Sequence, residues 1–523
     1  MQSHTSLGGT PQTSSDGEAS DRVRPVWNWR VALSLAAIVA VLEVAALSYP
    51  LVGMAVPDIA TRFHTTQDGW IMAAFVIVGA AASPMVGKLA DLYGTRQVLL
   101  SCIVLSGAGA LLCAVATNYG TFLAGRSLSG LMLPCLFLSY SLIRDVFPPS
   151  TVPLAASIAT SAVGLALVPA PLLTGWLAVD HGFRGLFWFM GLLLSASAIA
   201  VVLTTPESPV RLRARVGVRG AAVLGVGLAG LLGGVSQGPV VGWTAAVPLS
   251  LLATGIAAIV IWVATAAATG DALIDIRLWR RRPVLLTAMA AGCIYATTSL
   301  YSMLLPMLTR TPAMLGLGYG FGVDEQGAAV FQIPIGVLGV LGGLVVGVLV
   351  GRNIASPRLL ISLGTVSVAV GCTVTAYAHD SELLLTVLAG TVGLGAGLVN
   401  AATPNLVFRA VPSELQASTS ALVGMFQTVG PAIVPILAFA VMNGSHVAQL
   451  PPMITSMLNG AIVYTDSGFT MGFLIAAAVA LLGLCAAVLL PRRIVQVDVD
   501  SIVAGGVGPS SDEDAGRLVE QGN

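Results

Sequence analysis

Charge is what this chain has least of. Only 9% of its 523 residues are charged, too few to keep the surface of a soluble domain of that length in water. Lysine is almost missing, with Lys88 the single example among 24 basic residues, as a GC-rich bacterial coding sequence would leave it. The six cysteines, Cys102, Cys113, Cys135, Cys293, Cys372 and Cys485, stand far apart in apolar stretches without a C-x-x-C pair. That pattern suits packing residues better than metal or redox ligands. No G-x-x-x-x-G-K-[ST] loop occurs, which disfavours nucleotide-driven transport. Catalytic residues are not clustered; the nearest approach, Asp180, His181 and Arg184, reads as a short loop. A cleavable signal peptide is not expected either. The first two dozen residues are polar and rich in Ser, Thr and Gly, and Arg22, Arg24 and Arg30 then precede a full-length apolar run, the pattern of a disordered tail and a signal anchor.

Apolar sequence is what the chain has in excess: 56% hydrophobic residues and a mean hydropathy of +0.90. Runs of span length recur near 31–55, 69–88, 97–117, 119–142, 152–178, 185–204, 220–237, 245–268, 284–307, 328–351, 359–378, 383–404, 416–442 and 469–490. A chain in lipid must satisfy its backbone internally, by helices or a closed barrel. Barrel strands alternate over short segments, whereas these runs are long and evenly apolar, so the expectation is an all-α integral membrane protein of about 14 helices.

The basic residues test that layout. With the N-terminus inside, the cytoplasmic side receives Arg22, Arg24, Arg30, Lys88, Arg96, Arg144, the runs Arg211–Arg219 and Arg277–Arg282, Arg352, Arg358, Arg409, Arg492, Arg493 and Arg517. Only Arg62, Arg184 and Arg310 fall outside, and Arg126 falls within a span. Such asymmetry predicts both termini in the cytoplasm. A cytoplasmic tail is expected over 1–28 and another over 491–523, where Asp512, Glu513 and Asp514 sit among Gly and Ser. A mixed outer loop is expected over 443–466.

An internal repeat is visible at two loops. Val86-Gly-Lys-Leu through Leu99-Leu100 joins the second and third spans, and Val346-Gly-Val-Leu through Leu359-Leu360 joins the tenth and eleventh, placing Gly87 and Leu89 opposite Gly347 and Leu349. Two related halves are common in secondary transporters. The first loop, Gly87-x-Leu89-Ala90-Asp91-x-x-Gly94-x-Arg96, resembles the G-x-L-a-D-r-x-G-r signature of the major facilitator superfamily. Gly87 permits close helix approach, Gly94 a tight turn, and Asp91 at the water boundary can accept bonds from a helix N-terminus or an arginine. The resemblance extends further. Arg126-Ser-Leu-Ser-Gly130 is similar to an R-x-x-q-G element, and Arg144-Asp145 ends the fourth span as in the family. Ala170-Pro171-x-x-Thr174-Gly175 resembles the antiporter element G-P-x-x-G-G with two glycines replaced. The extra span pair and Ile274–Arg280 look like the 14-helix drug:proton antiporter branch.

The resemblance implies a major facilitator fold: a six-helix bundle over 29–205, a cytoplasmic linker with two extra helices over 206–282, and a second six-helix bundle over 283–490. It implies a cytoplasmic gate built on Gly87, Asp91, Gly94 and Arg96, with Arg144 as the partner of Asp91, and an antiporter-type helix marked by Pro171 and Gly175. Ionisable groups inside a membrane are costly enough that a role on the transport path is the first hypothesis. Glu43 is the one carboxylate placed near mid-membrane, about 20 Å along its span from Arg30, and Arg126 is about 10 Å from the outer end of its own. Both are candidates for proton coupling, with a structural clamp as the alternative for Arg126. The branch usually carries its acidic residue nine positions before the proline that ends this span; Ser48 holds that place before Pro57, and Glu43 lies five residues earlier. Tyr49, Gln332, Asn400 and Gln427 are candidates for lining the path.

The function these readings imply is proton-coupled export of small amphipathic molecules by alternating access, from a bacterial inner membrane. Alternatives are transport of one specific metabolite on the same fold, or a non-transporting polytopic enzyme or sensor. The expected partners are the lipid bilayer, a small-molecule substrate and protons. No nucleic acid, metal or cofactor is expected beyond the proton gradient, and the chain is expected to act as a monomer.

Overall fold

The computed structural model describes residues 28–64, 69–149, 151–166, 170–208, 218–268, 282–315, 317–323, 325–411, 416–445 and 463–491. The two tails, most of the 443–466 loop, the Arg211–Arg215 run and Ile274–Arg280 lie outside the described residues. What is described is overwhelmingly helical. In chain order the helices are α1 (Trp29–Phe63), α2 (Gly69–Tyr93), α3 (Thr95–Val115), α4 (Tyr119–Ser129), α5 (Met132–Val146), α6 (Val152–Ala166) and α7 (Ala170–Thr204). They continue with α8 (Val218–Val241), α9 (Ala246–Ala268), α10 (Arg282–Arg310), α11 (Glu325–Gly351), α12 (Pro357–Tyr377), α13 (Glu382–Ala410), α14 (Gln416–Met442) and α15 (Asp466–Val488).

Among the described residues, twelve stretches are long and apolar enough to cross a membrane, and two shorter apolar helical segments, Val152–Ala162 and Ala222–Gly238, bring the set to the fourteen expected. Two details were not expected. The fourth span is made of α4 and α5, separated by a turn at Gly130–Leu131. The reversal between the fifth and sixth spans is a single left-handed residue, Gly182 (φ 63°), so α7 supplies the end of one span and the whole of the next. Gly182 has no Cβ to clash in that region of backbone space.

The helices pack as two six-helix bundles with an added pair. In the first, α1 packs on α5, α6 and α7, and α3 on α4 and α7; in the second, α10 packs on α14 and α15, α11 on α13, and α12 on α13 and α15. Each bundle has its own apolar core. The bundles meet along two matched seams: α2 lies on α14, and α6 on α11. Each seam joins the second span of one half to the fifth span of the other, the arrangement two related halves would produce. The extra helices α8 and α9 pair with each other, and α8 covers the α2–α14 seam. The outer face of α9 (Val247, Leu249, Ile256, Val260, Ile261, Val263) is exposed and apolar, as lipid contact requires.

In lipid, water cannot drive helices together, so packing depends on small residues that let backbones approach. Gly397 of α13 is stacked on the backbone of Gly339 in α11, and a Cβ on Gly395 would lie 2.5 Å from the carbonyl oxygen of Gly364 in α12. This close approach accounts for the run of glycines Gly390, Gly393, Gly395 and Gly397 in the twelfth span. Leucine at 397 would have to push a backbone rather than a flexible side chain. Gly397→Leu is therefore expected to cost about 1–3 kcal/mol or more, read as a lowered melting temperature in detergent. Gly351→Ala, where a Cβ meets nothing within 4 Å, should change stability by less than about 0.5 kcal/mol.

Candidate functional site

Because successive spans alternate in direction, the described basic residues separate by end. Lys88, Arg96, Arg144, Arg352, Arg358 and Arg409 lie at one end of the helices, and Arg62, Arg184 and Arg310 at the other. The signature loop lies at the first of these ends. Tyr93 closes α2, and Gly94, at φ 105° and ψ 134°, caps α3 in a conformation that L side chains rarely adopt. Gly87 and Asp91 are buried, the latter 4% exposed.

The side chains after Gly94 do not reach across to the other half. They tie the loop to its own bundle. Thr95 Oγ1–H donates to Asp145 Oδ2 at 3.0 Å, and Ser208 Oγ–H donates to the same oxygen at 2.7 Å. Arg96 donates from Nη2 to the carbonyl of Val202 at 2.7 Å, and its Nη1 stands 4.0 Å from Glu207 Oε2. That last pair is partly exposed and long, so it contributes little on its own. Ser34 in α1 donates to Thr205 Oγ1 at 3.0 Å, drawing the chain after α7 back against the start of α1.

Arg144 crosses the seam. From the end of α5 its Nη1–H donates to the carbonyl of Val411, 2.8 Å away, just past the end of α13, and its guanidinium stands 5.8 Å from the centroid of the Phe408 ring. Val411 is one of the carbonyls a helix leaves without an internal donor. A charged donor to such a carbonyl is a stronger bond than a neutral one. Towards mid-height the halves stay in contact. Phe137 of α5 lies against Gly424 of α14, Ser157 of α6 lies against Gly347 of α11, and Ser161 Oγ–H donates to the carbonyl of Val340 at 3.1 Å.

Deeper in the membrane the two ionisable candidates stand in different surroundings. Arg126 in α4 is fully buried. Its Nε–H donates to the carbonyl of Ile71 in α2 at 3.1 Å, and its guanidinium lies 4.6 Å from the centroid of the Phe75 ring. It is thus held against α2 by geometry that only a planar guanidinium supplies. Glu43, in the middle of α1, is half-buried and makes no hydrogen bond or ion pair with another described residue, Arg126 included.

The remaining candidates are scattered. Gln332 donates to the carbonyl of Ser302 at 3.5 Å, so it helps fasten α11 to α10. Asn400 and Gln427 are half-buried on α13 and α14. Tyr49 belongs to α1, and Pro171 and Gly175 to the first arm of α7, but their side chains lie outside the described residues. A polar pair that was not anticipated, Tyr140 and Thr160, joins α5 to α6 at 3.0 Å. Asp145, Ser208 and Val411 were missed as well. Asp145 could have been found from its place beside Arg144, whereas a main-chain acceptor such as Val411 has no residue signature. Among the described residues no group of three or more His, Cys, Asp or Glu side chains could hold a metal.

The setting of Arg126 yields a test. Arg126→Lys keeps the charge but loses the Nε–H bond and the flat face against Phe75. It is expected to lower stability by about 1.5–3 kcal/mol, the usual worth of a hydrogen bond to a charged group. Arg184→Lys, which removes a bond from a less buried arginine to the carbonyl of Ala116, should cost less when the two variants are melted side by side.

The arrangement can be compared with known proteins. A family model for the Major Facilitator Superfamily matches residues 33–435. Multidrug resistance protein Stp of Mycobacterium tuberculosis is 26% identical over 418 residues, covering 79% of this chain and 75% of that protein. The probable multidrug resistance protein EmrY of Escherichia coli is 24% identical over 359 residues, covering 66% and 65%. A probable actinorhodin transporter of Streptomyces coelicolor is 27% identical over 403 residues, covering 73% and 67%. Among solved structures, the human organic anion transporter MFSD10 (TETRAN) superimposes with a TM-score of 0.58 at 16% identity, covering 87% of this chain and 98% of that one, a likeness of fold. With a family model matched over most of its length, two six-helix bundles meeting on matched seams, and the signature loop at one end, the chain belongs to the major facilitator superfamily, a transporter rather than an enzyme.

Proposed function

We propose that this transporter is a proton-coupled exporter of small amphipathic molecules, working by alternating access as a monomer in a bacterial inner membrane. The observation that carries the reading is Glu43: a carboxyl in the middle of a membrane-spanning helix, half-buried, without an ionic or hydrogen-bonding partner among the described residues. A structural carboxyl would be expected to have a partner, because an unpaired charge in lipid is costly. A coupling carboxyl has to remain free to take up a proton and give it back. The likeness to two proteins named for multidrug resistance supports the substrate class.

In this reading the end bearing Arg144 faces the cytoplasm, following the positive-inside rule. Arg144 and Val411 hold that end shut in the conformation described. Arg126 serves as a positioning residue that keeps α4 on α2 while the halves rock. Protonation of Glu43 and binding of substrate alternate, and each shifts the balance between outward- and inward-open states by its difference in affinity for the two. A second reading, export of one specific metabolite on the same fold, is supported by the likeness to a probable actinorhodin transporter.

Two tests follow. Reporter fusions after Arg282 and after Arg493 should report the cytoplasm, and one near His446 the outside; an outside signal at Arg493 would contradict the orientation. In inverted vesicles with an imposed pH gradient, Glu43→Gln should abolish uphill uptake of a lipophilic cation while exchange without a gradient continues, because the amide keeps the volume and hydrogen bonds but cannot titrate. Glu43→Asp should keep part of the activity with a displaced pH optimum. Full gradient-driven uptake by Glu43→Gln, at equal expression, would leave Glu43 a structural residue.

A further inference from the structure

At the end of the second bundle opposite Arg144, His379 follows the last turn of α12 with its residue only 3% exposed. Its Nδ1 is 2.8 Å from the carbonyl oxygen of Thr375, one of the carbonyls left open at the end of α12. Its Nε2 is 2.8 Å from Oδ1 of Asp466, in the first turn of α15. A carbonyl oxygen only accepts hydrogen bonds, and so does an ionised carboxylate. Both contacts can be hydrogen bonds to such acceptors only if both ring nitrogens carry hydrogen. A neutral imidazole has one N–H, so the geometry needs one proton more than a neutral histidine and a carboxylate hold together. We propose that His379 and Asp466 form a proton-binding site that latches α12 to α15, occupied as an imidazolium–carboxylate pair.

The surroundings favour the proton on the ring. His379 lies at the C-terminal, negative end of α12, and Asp466 at the N-terminal, positive end of α15, so each helix end stabilises the charge beside it. Among the described residues, the other ionisable groups lining the site are acids. Asp380 and Tyr377, from its own segment, line a cavity of about 310 Å³ with His379 and Asp466, and no arginine or lysine lines it. Tyr319, from the segment between α10 and α11, presents its ring edge with the centroid 6.5 Å from that of the imidazole. Its phenol is pushed up to about 12, chiefly by burial, and Tyr464 is pushed up by the same cause. Both phenols therefore stay neutral through the physiological range. Glu382, at the start of α13, is exposed. The Asp466 side chain is 54% exposed, which gives the pair a route to bulk water.

The latch reaches beyond the pair. The Tyr319 hydroxyl donates to the carbonyl of Tyr464, the Tyr464 hydroxyl donates to Asn443 Oδ1 at 2.9 Å, and Thr470 Oγ1–H donates to the carbonyl of Ala376 at 3.1 Å. The pair thus belongs to a rim of bonds that joins α12, α15, the end of α14 and the segment before α11. The sign follows from the proton count. The latch is complete while the proton is bound, and rising pH, by removing it, takes away one of the two ring bonds. None of these residues belongs to the seam between the halves or to the Glu43 region, so the inference does not depend on how transport is coupled.

The test uses the full chain in lipid nanodiscs, labelled with ¹⁵N-histidine, with the His379 signal assigned by its loss in His379→Gln. At neutral pH both ring nitrogens of His379 should show the imidazolium signature, and Asp466→Asn should move the ring towards a neutral tautomer. Melting followed by tryptophan fluorescence should fall by a few degrees as the pH is raised from weakly acidic to weakly alkaline. His379→Gln and Asp466→Asn should each lose that pH-dependent part. A neutral, single-tautomer His379 at neutral pH in the unaltered protein would overturn the proposal. So would one melting profile against pH shared by all three proteins. If His379→Gln does not fold, Asp466→Asn carries both readouts.

Discussion

Lipid offers a polypeptide no hydrogen bonds, and the structure follows from that constraint. The backbone is satisfied within helices, and hydroxyls inside spans mostly bond to their own helix. Ser48 donates to the carbonyl of Val44, Ser83 to that of Gly79 and Thr403 to that of Val399, each at 2.7 Å. Side chains satisfied in this way cannot hold helices together. Close approach at small residues such as Gly339, Gly364, Gly395 and Gly397 does so instead, and the few charges are left for the ends and the path. The loop after α2 shows the same economy: Asp145 collects Thr95 and Ser208 on one oxygen, so the polar groups of the turn are satisfied where the helices leave the apolar layer.

The fold was legible because hydropathy is summed over twenty residues at a time, and an error at one position does not change the sum. Among the described residues, the fourteen apolar runs became twelve helices of span length and two shorter apolar ones. What could not be summed was missed. The turn at Gly130–Leu131 interrupts a run whose composition is continuous, and the reversal at Gly182 rests on one dihedral angle. The site was legible in part. Gly94 was expected at a tight turn and adopts φ 105°, and Arg126, for which a structural clamp was the alternative to coupling, is buried and donates to the carbonyl of Ile71. Arg144 was expected as the partner of Asp91, and one bond that it makes across the seam runs to the main-chain oxygen of Val411. Any residue type can present a carbonyl, so no motif records it. His379 and Asp466 are 87 residues apart and share no pattern; only the fold brings the end of α12 to the start of α15.

The seam gives these parts a common purpose. Two bundles with separate cores can rock as bodies, while a single shared core would resist. The matched pairs α2–α14 and α6–α11 are the surfaces on which the halves meet, and Gly347 and Gly424 let Ser157 and Phe137 of the first half come close to the second. Arg144 supplies a bond that one end can make and break without disturbing either core. The His379–Asp466 latch, by contrast, joins helices of one bundle and would stiffen that body without gating the path.

The central claim is that the halves rock about these seams and that the described state is shut at the Arg144 end. It is tested most directly by spin-label distances in a background without the six native cysteines. One pair, Tyr93→Cys with Arg409→Cys, spans the shut end; the other, Thr117→Cys with Tyr377→Cys, spans the opposite end. The account predicts a short, narrow distribution across the first pair in the resting protein. Acidic pH or substrate should lengthen the first distance and shorten the second in the same fraction of molecules. Two distances that stay fixed, or that lengthen together, under every condition that supports transport would contradict it.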